Sequence, residues 1–143
     1  MADSPTLFTR IITGDLPGRF VWRDPDVVAF LTIAPIRPGH VLVVPVVEID
    51  KWTDLPPHTW SRMNEVALCI GSALDTTFDC DRVAVIVAGL EVPHCHLHLI
   101  PIRTEADIDF AKADHGTPGE ALDDAADRIR SALRANGSGE HVA

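Results

Sequence analysis

No apolar run in this sequence approaches the roughly 20 residues that a membrane-spanning helix needs, so a helical membrane protein is excluded. The glycines nowhere fall into G-x-G-x-x-G or P-loop spacing, and the usual phosphate cradles of nucleotide-binding folds are therefore missing. Cysteine is scarce. Cys69, Cys80 and Cys95 are odd in number and show no close pairing pattern, which argues against a disulfide framework or a zinc knuckle and suits a reducing compartment. They read as small buried hydrophobes. Basic charge is also in short supply: 12 Lys and Arg stand against 21 Asp and Glu, for a formal net charge of -9. That excess disfavours nonspecific attraction to a nucleic acid polymer or an anionic membrane, and any phosphate has to be held by a local cluster of donors. The opening stretch "MADSPTLFTRIITGD" carries charge on both sides of a short apolar patch and lacks the h-region of a signal peptide, so a cytoplasmic location is expected.

What is present is a chain of 143 residues, ordinarily one domain with enough length to bury a real core. "SPTLFTRIITGD" offers Ser4 as N-cap, Pro5 in the first turn, and Leu7, Phe8, Ile11 and Ile12 at helical spacing before Gly14 ends a short helix. In "RFVWRDPDVVAFLTI" two apolar runs flank Asp24, Pro25 and Asp26, turn chemistry that predicts a hairpin. A further strand starts after Pro38 and Gly39, with His40 at its head. The long helix has Asp54 as its expected cap and carries Trp60, Met63, Ala67, Ile70, Leu74 and Phe78 on one face. "RVAVIVAG" and "PHCHLHLIP" read as two more strands, aliphatic enough for central places in a sheet.

The acidic connection "TEADIDFAKADHG" reads as solvated surface. Beyond it, Thr117 and Glu120 form a capping box, Pro118 takes the first helical position, and a stripe of Ala121, Leu122, Ala125, Ile129 and Leu133 runs to a glycine stop. Strands arriving mostly as hairpins around one inserted helix favour an α+β fold, with an antiparallel sheet of about five strands, over a doubly wound α/β sheet. The expected organisation is one domain over 1–143: a core at 5–103, the connection and C-terminal helix at 104–137, and a frayed tail at 138–143.

"PHCHLHLIP", residues 93–101, sets His94, His96 and His98 at alternate positions. On a strand, a period of two turns them to one face while Cys95, Leu97 and Ile100 serve the other. Three imidazoles in a column are costly unless something pairs or uses them, since a buried unsatisfied polar group costs about 1 to 3 kcal/mol. Three uses compete. One is a set of paired core histidines. Another is a metal site, because neutral imidazoles are good zinc ligands and H-x-H places two of them, although no carboxylate or cysteine follows at a fixed spacing. The third is work on phosphorus, in which one ring is a covalent nucleophile while its neighbours fix its tautomer and protonate the leaving group near neutral pH.

His94-Cys95-His96-Leu97-His98-Leu99-Ile100 resembles the signature of the histidine triad (HIT) family, His-φ-His-φ-His-φ-φ with φ apolar, and Pro101 follows as it often does there. "LFTRIITGDLP" is similar to the family's N-terminal helix and "VVAFLTIAPIRPGHVLVVP" to its central hairpin, so the likeness runs colinearly over about residues 7–102. The resemblance implies a compact α+β domain, usually a homodimer, that hydrolyses or transfers nucleoside monophosphate groups without a cofactor. It implies that His96 attacks the α-phosphorus of a purine nucleoside phosphoramidate or dinucleoside polyphosphate. His98 then contacts phosphate or leaving group, His94 orients and polarises the other rings, and His40 lies beside them. Leu7, Phe8, Ile11, Phe30 and Ile33 match positions that line an apolar base pocket, and each is equally readable as core.

Several positions depart from the family pattern. Thr32 stands where many relatives hold the ribose hydroxyls with an acidic residue or Asn, and a threonine has one oxygen where a carboxylate offers two to accept them. Glu91 stands where a Ser or Thr near the phosphate is common, and the expectation is that its carboxylate turns away or pairs with an imidazolium. "RVAVIVAGLE" supplies no Asn or Gln toward a phosphate. Thr6 and Thr9 occupy the positions of a C-x-x-C that holds zinc in some relatives, so that structural metal is not expected. An active nucleotide hydrolase or nucleotidyl transferase is the favoured reading, since His40 and the whole triad are present. A nucleotide-binding or regulatory module with little turnover is the alternative that Thr32 and Glu91 keep open, and a metal-dependent hydrolase is the residual.

Overall fold

A computed structural model describes residues 4–143; residues 1–3, which the single-domain reading also takes in, lie outside the described residues. Five strands form one antiparallel sheet: β1 (Phe20–Arg23), β2 (Val27–Leu31), β3 (Val41–Pro45), β4 (Arg82–Ile86) and β5 (Leu97–Ile102), in the order β1-β2-β3-β5-β4. Three helices accompany them, α1 (Leu7–Ile12), α2 (Pro57–Thr77) and α3 (Gly119–Ala135), which makes the fold α+β as the element pattern implies.

Alternation along the strands divides the sheet cleanly. Val27, Ala29 and Leu31 of β2, Val41 and Val43 of β3, and Leu97 and Leu99 of β5 join the main core with α2 and α3. From α2 that core takes Met63, Val66, Ala67, Ile70, Ala73 and Leu74. The intervening residues face the other side. Val28, Phe30, Leu42 and Val44 meet Phe8 of α1, and Ile100 and Ile102 meet Ile36. His98 pairs across the sheet with Leu42 and Ile86 and so belongs to this second face. Ile100 lies on the histidine side, not opposite it, because it is two residues from His98.

Local chemistry corrects several boundaries. Helix α1 is capped by Thr6, whose hydroxyl accepts the Thr9 N–H at 3.1 Å; Ser4 and Pro5 precede it. Asp54 closes a single 3₁₀ turn, and α2 starts behind Pro56 with Pro57 at its first position. Thr117 and Glu120 form no capping box, since the Thr117 hydroxyl donates to the Asp114 carbonyl and Pro118 takes the N-cap position of α3. Ala121 is exposed, and Ala126 completes the buried stripe with Leu122, Ala125, Ile129 and Leu133. The tail is packed: Ser138 N–H bonds the Leu133 carbonyl, His141 lies against Trp22 with 5.2 Å between ring centroids, and the Ala143 carbonyl accepts from Arg130. Strand β4 is an edge strand instead of a central one, with Val85 58% exposed. Of the cysteines only Cys95 is buried; Cys69 and Cys80 are half-buried.

Asp24 does more than mark the hairpin turn. Its carboxylate accepts from Trp22 Nε1 and from the N–H groups of Asp26 and Val27, and it pairs with Arg62 of α2 at 3.0 Å. Burial raises its pKa, but these donors and the Arg62 charge outweigh burial and hold it below the usual carboxylate value.

The turn before β3 depends on a glycine. Gly39 has φ +90°, and a Cβ there would lie 2.8 Å from the ring of buried Phe78, so both backbone and space require the missing side chain. Gly39→Ala is therefore expected to lower stability by about 2 kcal/mol in urea titration and to disturb His40 beside it.

Candidate functional site

The histidines gather on the open face of the sheet, but only His98 lies within a strand. His94 ends the bend before β5 and His96 immediately precedes the strand, and their rings follow His98 onto one side. The His96 and His98 ring centroids are 4.8 Å apart, and those of His98 and His40 are 5.2 Å apart. His94, His96 and His40 are buried and His98 is half-buried, so the four predicted histidines do converge.

The hydrogen bonds fix where the protons are. A carbonyl can only accept, so the 2.8 Å contact between His96 Nδ1 and the His94 carbonyl puts the proton of neutral His96 on Nδ1. Nε2 of His96 is left with its lone pair. His94 Nε2 lies 2.7 Å from the Pro45 carbonyl and donates to it, while its Nδ1 is 2.7 Å from the Thr6 hydroxyl. A second chain starts at the Ile36 N–H, which donates to His40 Nδ1 at 3.1 Å. Neutral His40 therefore carries its proton on Nε2 and donates it to His98 Nδ1 at 2.9 Å, so that the His98 proton sits on Nε2. The two chains produce one ring with a free lone pair beside one with a free N–H, the complementary parts of a nucleophile and a proton donor.

Burial keeps these rings uncharged. It pushes the His40 pKa down to about 3 with help from His98 and His96, and the His98 pKa down to about 4 with help from His96. Burial also lowers His94 and His96, against the opposing effect of the carbonyls that they face. Glu91 is exposed in the bend before His94, and its charge acts on His96 in the direction that favours the imidazolium.

Two walls flank the histidines. On one side Phe8 sets its edge against His96 at 4.9 Å and against Phe30 at 5.5 Å, with Ile11 behind them. Of the residues matched to a base pocket, Phe8, Phe30 and Ile11 are together here, whereas Leu7 is 47% and Ile33 74% exposed. Thr32 is half-buried, and its hydroxyl accepts the Ala34 N–H at 3.2 Å. On the other side Phe110 stands 4.9 Å from His98, held by a 3₁₀ turn in which Asp109 accepts the Ala111 N–H. Phe110 was hidden in a stretch that composition describes only as acidic surface, as Thr6 was in a helix cap. A groove of about 410 Å³ lies on the opposite face between α2 and β4. Among the described residues no cluster of His, Cys, Asp or Glu could hold a metal ion, and both nitrogens of His94 are already engaged.

Comparison with known proteins agrees with this geometry. The family model for the HIT domain matches residues 13–105. An uncharacterized HIT-like protein of Methanocaldococcus jannaschii is 34% identical over 110 residues, 74% of this chain and 84% of its own length. The purine nucleoside phosphoramidase of Escherichia coli is 32% identical over 101 residues, 66% of this chain and 85% of its own. A HIT-like protein from Bartonella henselae, solved by crystallography, superposes with a TM-score of 0.81 at 29% identity, covering 92% of this chain and 98% of that one.

The neutral histidines have a measurable consequence. In the unfolded chain they take up protons near pH 6.5, which the folded state resists, so stability is unaffected above that value and falls as the pH drops below it. Asp24, Glu48 and Asp107, whose folded pKa values are lowered, lose their contribution only below about 4.5, where carboxylates titrate. Urea midpoints are expected to fall between pH 6.5 and 4.5, and His40→Gln is expected to make that decline shallower.

Proposed function

The chain belongs to the HIT family, and from that premise we propose that it is a nucleotide hydrolase or nucleotidyl transferase acting at the α-phosphorus of a purine nucleoside phosphoramidate. The observation that carries the reading is the commitment of His96 Nδ1 to the His94 carbonyl, which leaves Nε2 as the nucleophile. In the proposed first step the Nε2 lone pair forms a bond to phosphorus, the bond from phosphorus to the leaving amine breaks, and His98 Nε2–H gives that amine its proton. In the second, water adds to phosphorus, His98 Nε2 takes a proton from it, and the bond between phosphorus and His96 breaks. Phe8, Phe30 and Ile11 supply an apolar wall for the base, and the free proton of the Thr32 hydroxyl is available to a ribose oxygen.

The surroundings of His98 support an amine as leaving group over a polyphosphate. Phe110 presents exposed apolar surface there, in a segment that also holds the exposed Ile108 and carries Glu105, Asp107, Asp109 and Asp114 against Lys112 alone. Lys112 already donates to the Ala106 carbonyl, and Arg37 to the Asp79 carbonyl. A second reading, a nucleotide-binding module with little turnover, draws on the Glu91 carboxylate near the site and on a Thr32 hydroxyl whose acceptor is partly used. His96→Ala is expected to abolish release of AMP from an adenosine phosphoramidate while AMP binding, measured by calorimetry, persists. Unchanged turnover in that variant refutes the nucleophile, and a wild-type protein that binds AMP without turnover favours the module.

A homodimer belongs to the same proposal. The outer edge of β4 has no strand partner among the described residues, and Leu68 of α2, 72% exposed, and Val85 of β4 line the groove beside it. An unpaired edge next to an apolar groove suits pairing with a second copy. Light scattering is expected to give twice the chain mass, and Val85→Asp to give the chain mass itself.

A further inference from the structure

The structure assigns Thr6 as a positioning residue for the His96 nucleophile, acting through the ring and backbone of His94; the assignment rests on the proposed reaction. His94 lies 88 positions away in the chain, yet its Nδ1 is 2.7 Å from Thr6 Oγ1. Since His94 Nε2 donates to the Pro45 carbonyl, Nδ1 of the neutral ring is an acceptor, and the single proton of the Thr6 hydroxyl goes to it at 2.7 Å in preference to Thr9 Oγ1 at 3.3 Å. The same oxygen accepts the Thr9 N–H at 3.1 Å, so one hydroxyl both caps α1 and pins His94. Thr6 is held in turn. Its backbone N–H donates to Glu48 Oε1 at 2.7 Å, and Glu48 lies just beyond Pro45, whose carbonyl holds the other side of the imidazole.

His94 is thus clamped between α1 and the end of β3, and its own carbonyl is what holds His96 Nδ1–H. Phe8, the second residue of the same short helix, lies against both histidines, with ring centroids 5.8 Å from His94 and 4.9 Å from His96. Without the hydroxyl, a buried Nδ1 has no donor, and the ring relieves this by turning or by moving its proton. Either change loosens the carbonyl, and His96 then places part of its protons on Nε2, where they block attack. Thr6 touches no reacting atom in this account. Its effect falls on kcat, because the apolar wall that holds the base is left in place.

The test compares wild type, Thr6→Val and Thr6→Ser by ¹⁵N NMR of the histidine side chains and by steady-state hydrolysis of adenosine phosphoramidate. The expected result is His96 in the Nδ1–H form in wild type, a mixture of tautomers in Thr6→Val with kcat lowered roughly 10- to 100-fold and KM within about twofold, and recovery of both readouts in Thr6→Ser. A His96 tautomer that is the same in all three proteins overturns the assignment. If Thr6→Val does not fold, the wild type decides: a slowly exchanging Thr6 hydroxyl proton with a cross-peak to the His94 ring supports the assignment, and a rapidly exchanging one overturns it. The tautomers are read without turnover. A wild type that turns over no nucleotide while Thr6→Val still shifts His96 therefore refutes the hydrolase reading and leaves the positioning role standing.

Discussion

One hydrogen bond organises the site: the 2.8 Å contact from His96 Nδ1–H to the carbonyl of His94. A buried imidazole has two nitrogens and, when neutral, one proton, so satisfying one nitrogen decides what the other can do. Here a main-chain acceptor takes the proton and Nε2 is released for chemistry. The opposite assignment holds at His98, where the donor chain from Ile36 through His40 leaves the proton on the outward nitrogen. Neighbouring rings of the same residue type thereby carry their protons on different nitrogens, set by their surroundings. Burial maintains the difference, since it keeps all four imidazoles neutral.

The fold exists around that constraint. Helices α2 and α3 cover one face of the sheet and supply most of the core, which leaves the other face free to carry polar side chains. Strand β5 lies between β3 and β4, so His98 is braced on both sides by paired backbone. The turn at Gly39 and the cap at Thr6 sit at the ends of the two hydrogen-bonded chains, and both are places where the backbone meets the site. Protonation of the rings is opposed by the same burial that keeps them usable, so stability in mild acid and chemical competence are linked.

Much of this was legible in the residues. Alternation in "PHCHLHLIP" put the three histidines on one side of β5, although it set Ile100 opposite them, and helical spacing from Met63 to Leu74 identified the buried side of α2; the faces of β2 and β3, apolar on both sides, were not legible. The convergence of His40 with the triad followed from resemblance and agrees with the 2.9 Å bond to His98. Three kinds of information were out of reach. Caps depend on which donor a hydroxyl meets, so Thr117, which matches a capping box by spacing, bonds a preceding carbonyl instead. Strand order depends on pairing across long separations, and β4, apolar enough for a central strand, takes an edge. The partners Thr6 and Phe110 come from segments whose composition describes only a helix end and an acidic surface.

Covalent chemistry at His96 is the centre of this account, and trapping the intermediate tests it most directly. Protein mixed with adenosine phosphoramidate and quenched within the first turnover in alkaline denaturant, which spares a phosphorus–nitrogen bond, is digested and analysed by mass spectrometry. The expected result is one AMP group on the peptide that contains residues 94–98, with fragmentation placing it on His96. Turnover that proceeds with no adduct, or with an adduct on another residue, contradicts the account.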